Sequence, residues 1–229
     1  RSGPYLLAVA NTIRFNMIAV TLIMASSFFL AILLRKSFKG KEFFNTSFIF
    51  PLVIPVASVV LFWQIIFQEN GALNAFLDSA GFQKISLSEN GQPVAILVLL
   101  YLWKNCGYNV ILFTAGLGSI PEEYYESARI DGAGRLSCLR NITLPYILPS
   151  AFFVFIISIV NSFKVFREAY LLAGSYPDRS IYMLQHFMNN NFTNLNYQRL
   201  STAAFVMALF VYLLVLFLFG AERSFERNL

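Results

Sequence analysis

The chain has 229 residues, 57% of them hydrophobic and only 13% charged, where ordinary soluble domains carry about a quarter charged residues. With 25 phenylalanines besides, this is the composition of an integral membrane protein and excludes an ordinary soluble domain. The net charge of +5 reads first as topology, because Lys and Arg collect in cytoplasmic loops, and no long basic run among stacking aromatics points to nucleic acid.

The first residue is Arg1 rather than Met, so the sequence reads as a fragment or processed chain. A first span is expected at about 15–34, an uncharged run of the length that crosses a bilayer. The cluster Arg35, Lys36, Lys39 and Lys41 then marks the cytoplasmic side. A second span, at about 46–67, holds Pro51 and Pro55. A kinked helix is the simple reading, and an irregular wall beside a pathway is the alternative. Residues 68–92 form an external polar connection, with a short interfacial helix expected around 72–80.

The third span, at about 93–117, carries Tyr101, Asn105, Tyr108 and Asn109 on one helical face, with Lys104 beside them. Polar groups are costly in hydrocarbon, so this stripe faces protein or a watery cavity. The fourth span, at about 148–166, places Ser158, Asn161 and Ser162 on a common face. Two readings remain open for both faces: a solute path near the midplane, or interhelical hydrogen bonds that hold the bundle. Residues 167–199 are an external loop, in which His186 reads as a loop histidine. A fifth span at about 200–219 precedes a tail with Arg223 and Arg227. The expected topology is outside, five spans, inside.

Between spans three and four lies a stretch of another kind. Residues 120–145 carry Glu122, Glu123, Glu126, Arg129, Asp131, Arg135 and Arg140. Ser119-Ile120-Pro121-Glu122 predicts a capping box. A helix is expected from there to about Asp131, Gly132 and Gly134 end it, and a second short helix covers 135–141. Ile142 to Pro145 turns the chain back to the membrane.

Much chemistry is absent. There is no G-x-x-x-x-G-K-[ST] loop for nucleotide phosphates, no H-E-x-x-H, and no G-x-S-x-G elbow. One histidine builds no multi-histidine metal site. Cys106 and Cys138 read as two unpaired thiols. No catalytic constellation supports an enzyme.

Glu126-Ser127-Ala128, three residues, Gly132, nine residues, then Ile142-Thr143-Leu144-Pro145 resembles the EAA loop of binding-protein-dependent ABC importer permeases. That pattern is E-A-A, three residues, G, nine residues, I-x-L-P, and only Ser127 departs from it. Asn11-Thr12, Leu52 to Pro55, Trp103, Ile120-Pro121 and Phe166 to Gly174 are similar to the carbohydrate branch, of maltose and glycerol-phosphate type. Gly174-Ser175-Tyr176-Pro177 stands where that branch usually ends in Gly-Gly-Pro.

The resemblance implies an all-α integral membrane protein: a type I ABC importer permease-like helical bundle, with 1–229 a single transmembrane permease domain in the cell membrane. Such subunits commonly have six spans, so one is expected upstream of Arg1. It implies that the cytoplasmic coupling loop 120–145 docks on an ATPase, through Glu126, Ala128, Arg129, Asp131, Gly132, Ile142, Leu144 and Pro145. The implied partners are a second homologous permease, two cytoplasmic ATPase subunits that bind ATP and Mg, an extracellular solute-binding protein, and membrane lipid. The chain itself would need no cofactor. The expected cargo is a sugar or oligosaccharide passing Tyr101, Asn105, Tyr108, Asn109, Ser158, Asn161 and Ser162. The alternatives are a non-sugar solute on the same architecture, or an ATP-independent channel or carrier.

Overall fold

A computed structural model of the chain describes residues 3–35, 39–85 and 92–226. Arg1, Lys36 and Arg227, named above, and Glu89 and Gly91 of the external connection 68–92 lie outside the described residues. Among the described residues the secondary structure is helical throughout, with five helical stretches long and apolar enough to cross a membrane.

Helix α1 (Gly3–Leu34) starts a dozen residues before the predicted span, so that Asn11 and Arg14 belong to it. The second span is two helices, α2 (Lys41–Val53) and α3 (Val56–Phe67), with extended backbone at Ile54 and Pro55 between them. Pro51 stays inside α2. The break falls at the second proline, where a continuing helix would lose a second hydrogen bond one turn after the first. The residue before a proline also resists the helical region. The expected short helix is α4 (Ala72–Ser79).

Helix α5 (Gln92–Gly118) is the centre of the bundle and packs against α1, α2 and α8 (Leu144–Lys164). Gly107 makes the α2 contact possible: a Cβ there would overlap the Phe48 backbone carbonyl. Leu97, Leu100, Tyr101, Val110, Phe113 and Leu117, all at most 1% exposed, form its buried faces.

At one end of the bundle lie α6 (Glu122–Ile130) and α7 (Arg135–Cys138). The expected turn at 142–145 is not there. A π-helical turn, Leu139–Thr143, joins α7 to α8, so the helix runs unbroken from Arg135 to Lys164. Pro145 accounts for the wide turn: its ring would press on the carbonyl four residues back, and π geometry relieves that crowding.

At the other end, α9 (Phe166–Ala173) follows α8 directly, and α10 (Leu184–Thr193) caps the bundle before α11 (Tyr197–Glu226). Asn11 Nδ2 donates to the carbonyls of Arg179 (2.6 Å) and Tyr182 (3.0 Å), and the Leu184 amide donates to Thr12 Oγ1 (2.9 Å). His186 is not a loop residue. It lies on α10, fully buried, with Nδ1 accepting from the Met183 amide at 3.2 Å. Burial pushes its pKa down to about 4. On the same cap, Ser180 donates through backbone and hydroxyl to Asp178 and holds that carboxyl below its ordinary value.

Candidate functional site

Two places are built from the singled-out residues. The first is the loop at 120–145. Helix α6 starts at Glu122 with Pro121 as its extended N-terminal neighbour and no side-chain cap. The predicted capping box does not form. Ile120 precedes a proline and so stays out of the helix, which puts Ser119 too far back to cap it; its hydroxyl donates to the Gly116 carbonyl instead (2.8 Å). Glu122 faces sideways, accepting from Arg35 and Arg129, both at 2.9 Å.

The end of α6 explains the motif's glycine. The Ala133 amide donates to the Ala128 carbonyl (2.8 Å) and the Gly132 amide to that of Arg129 (3.1 Å). Gly132 has φ of 80°, the left-handed conformation that this Schellman closure needs.

The two tyrosines part company. Tyr124 is exposed, whereas Tyr125 is buried inward under the helix. The Tyr125 hydroxyl bonds Thr143 Oγ1 at 3.0 Å, and the Arg35 guanidinium lies 4.1 Å from its ring centroid. One side chain thus ties the loop helix both to the end of α1 and to the π turn. Glu126, Arg129, Asp131 and Gly132 are exposed; Ala128, Ile142 and Pro145 are half-buried, and Leu144 is 41% exposed. Flanking the Gly132 turn, Ile130 and Leu136 are 86% and 77% exposed, large apolar side chains on a polar element.

The second place is a cavity of about 220 Å³ between α5, α8, α9 and the α2–α3 break. Leu52 and Val56, on either side of the break, line it. So do Tyr101, Lys104, Asn105, Asn161, Lys164, Arg167 and Glu168. Irregular backbone at membrane depth is tolerated where it borders a cavity. Lys104 and Glu168 form an ion pair at 2.5 Å, with side chains 14% and 7% exposed. A larger surface groove, about 500 Å³ between the ends of α1, α10 and α11, holds none of the predicted site residues.

The structure divides the predicted path residues. Tyr101, Asn105 and Asn161 line the cavity. Asn109 and Ser158 are buried between α5 and α8: Asn109 Nδ2 donates to Ser158 Oγ (2.8 Å), and the Tyr101 hydroxyl to the Ser158 carbonyl (2.7 Å). Ser162 is buried and donates to the Ile159 carbonyl (2.6 Å). Tyr108 is half-buried and does not line the cavity. Sequence reasoning missed Glu168, Arg167, Arg35 and Thr143. A lysine inside an apolar span needs a counter-charge, and that was the signal for Glu168.

A family model described as "Binding-protein-dependent transport system inner membrane component" matches residues 11–229. The chain belongs to this family. Its inner membrane components include curated relatives similar to this chain. The probable ABC transporter permease protein YurN of Bacillus subtilis is 28% identical over 79% of this chain and 64% of its own. The sn-glycerol-3-phosphate transport system permease protein UgpA of Yersinia enterocolitica is 31% identical over 69% of this chain and 54% of its own. The arabinooligosaccharides transport system permease protein AraP of Bacillus subtilis is 31% identical over 72% and 54%. The chain therefore spans between half and two thirds of the length of these curated relatives. Among solved structures, a chain of a bacterial alginate ABC transporter, crystallised with an alginate pentasaccharide-bound periplasmic protein, superposes with a TM-score of 0.86. It is 21% identical, over 98% of this chain and 80% of that one, and shares the fold. With this family and five apolar helical stretches, the chain is a multi-pass protein of the cell membrane, and its fold is the all-α type I importer permease bundle.

Proposed function

We propose that this chain is the transmembrane subunit of an ATP-driven importer that moves a sugar or oligosaccharide handed over by an extracellular binding protein. It works beside a second homologous permease and two cytoplasmic ATPase subunits, which bind the ATP and Mg. One observation carries the reading: the loop motif, matched at every position but Ser127, folds as an exposed helix pair, and its second helix is continuous with a span that lines a polar cavity. The relatives named for arabinooligosaccharides and glycerol phosphate, and the alginate transporter, support the solute class.

In this reading the loop is cytoplasmic. Ile130 and Leu136 enter a groove on the ATPase, the apolar centre of a small interface. Glu126, Asp131 and the exposed side of Arg129 form its polar rim, with Ala128 and Gly132 letting the surfaces approach. Ile142, Leu144 and Pro145 belong to the shaft that carries movement to α8. The solute passes Tyr101, Asn105 and Asn161, where amide and hydroxyl groups meet sugar hydroxyls. Asn109, Ser158 and Ser162 fix the helix pair that frames the path, and Tyr108 stands beside it.

The test is reconstitution. The complete importer in liposomes should show ATP-dependent sugar uptake, and Ile130→Asp with Leu136→Asp should abolish ATPase co-purification while membrane insertion persists. Solute flux without ATP in vesicles holding this chain alone would overturn the reading in favour of a channel or carrier.

A further inference from the structure

Helix α1 is bonded at both ends, to regions on opposite faces of the bundle. At one end Asn11 Nδ2 donates to the Arg179 and Tyr182 carbonyls, and Thr12 Oγ1 accepts from the Leu184 amide, so α1 is tied to the cap that carries α10. At the other end Arg35, one residue past α1, meets Glu122 at 2.9 Å and lies 4.1 Å from the centroid of the buried Tyr125 ring. It thereby grips α6, and Glu122 extends the grip to Arg129, also at 2.9 Å. An exposed ion pair adds little by itself, but the cation over a buried ring fixes where the guanidinium sits. Between the two grips α1 has nothing to bend at. Past Pro4 it holds neither proline nor glycine, whereas the second span breaks at Pro55 and α8 continues from a π turn. Phe15 and Phe28 meet Tyr101 and Phe113 edge-on and seat it along α5. From Asn11 to Arg35 it measures roughly 36 Å. Among the described residues, none of α1 lines the cavity between α5 and α8.

We infer that α1 is a strut between the cap and the coupling helix, with Asn11 and Arg35 as the positioning residues at its ends. The inference rests on the importer reading, which sets the binding protein on the cap side and the ATPase on the loop side, and adds a route between them. A stiff helix cannot shift at one end alone, so an ATPase that moves α6 moves Arg179 to Leu184 as well. Linkage makes the effect mutual: a partner that favours one position of the cap favours the matching position of α6. The route bypasses the cavity. Helix α8 carries movement to the cavity wall, while α1 lets the two faces answer one another behind it. Two unrelated staples would show the same bonds. They differ in one respect, because residues this far apart act independently unless a shared element with two positions joins them.

The test is hydrogen exchange on the complete importer in lipid nanodiscs, with an ATPase that binds Mg-ATP without hydrolysing it. Protection of the amides from Arg179 to Leu184 is compared with and without Mg-ATP, at equal ATPase content. In the native complex Mg-ATP should change it about fivefold, the worth of one ordinary hydrogen bond. Arg35→Gln, on the far face of the bundle, should abolish that response, and Arg35→Lys, which keeps the cation, should retain most of it. Asn11→Ala should abolish it too, while the amides of α6 still respond to Mg-ATP. A full cap response in either Arg35→Gln or Asn11→Ala overturns the strut and leaves the importer standing. So does a native cap that ignores Mg-ATP while α6 responds. A loss in Arg35→Lys as deep as in Arg35→Gln shows that the cation is not the grip and overturns the role of Arg35. If no ATPase is recovered with the native chain, the importer reading falls, and this inference with it.

Discussion

Glu168 gives one oxygen to Lys104 at 2.5 Å and holds the other buried without a partner. A buried pair costs desolvation, and removing one member strands the other. Glu168→Gln is therefore expected to destabilise the isolated subunit by about 3 kcal/mol, read by unfolding in detergent. The double change Lys104→Met with Glu168→Met should recover most of that loss. Equal losses in single and double variants would show that the pair is not the cause. His186 gives a pH dependence of known sign. Its folded pKa of about 4 lies below the ordinary 6.5, so below pH 6.5 the unfolded cap binds protons that the folded cap does not. Stability of the cap is complete above that pH and declines as pH falls toward 4. Amide protection factors at Met183 to Phe187, corrected for intrinsic exchange, should fall over this window in the native chain and not in His186→Gln. At this scale the sequence was half legible. Lys104 stands out because a charge in an apolar run demands an explanation. Glu168 does not, because the chain returns it from 64 residues away, in what reads as a loop. The polar stripe predicted hydrogen bonding or a path, and the residues divide between the two: Asn109 bonds Ser158 inside the helix pair, while Asn105 faces the cavity.

Among elements, α6 is the most constrained by its neighbours. Tyr125 is fixed by its hydroxyl to Thr143 and by its ring to Arg35. A double-mutant cycle of Tyr125→Phe and Thr143→Val should return a coupling of about 1 kcal/mol, the net worth of an ordinary hydrogen bond. Arg35→Gln should weaken the same helix independently, because Phe at 125 preserves the ring under the guanidinium. A coupling near zero would mean that the two hydroxyls are not bonded. Helix existence was readable from apolar length and from the glycines, since Gly132 closes α6 by a left-handed turn. Helix ends were not. The capping box matched by letter, yet Pro121 decided where the helix begins. Pro51 and Pro55 look alike in sequence; only the second breaks the helix, because the break also needs a place to open, and Leu52 and Val56 border the cavity there. The turn expected at Pro145 became a π turn because one extra residue per turn makes room for the ring without ending the helix.

At the scale of the molecule, the described helices leave large apolar side chains facing outward, among them Phe205, Phe217, Val53 and Phe43, each more than 70% exposed. Hydrocarbon or an apolar partner covers such faces. The bundle's two ends are polar and separate. Single cysteines at Leu136 and Tyr176, 77% and 73% exposed, in a background lacking Cys106 and Cys138, should react with an impermeant maleimide from opposite sides of the membrane. Labelling of both from one side would contradict the five-span arrangement. The unbroken helix from Arg135 to Lys164 has one further property. It is pinned at Ser158 by Tyr101 and Asn109. At 1.5 Å per residue the arm from Arg135 to that pin is roughly 35 Å, and the arm from the pin to Lys164 roughly 9 Å. Turned as a rigid rod about that point, the helix would gear movement down and reverse it. A sweep of about 4 Å at the loop end becomes a shift of about 1 Å at the cavity wall, in the opposite direction. That is a small step, but a hydrogen bond stretched by that much is lost. A rigid tilt of this size would thus be enough to break a contact at the cavity wall.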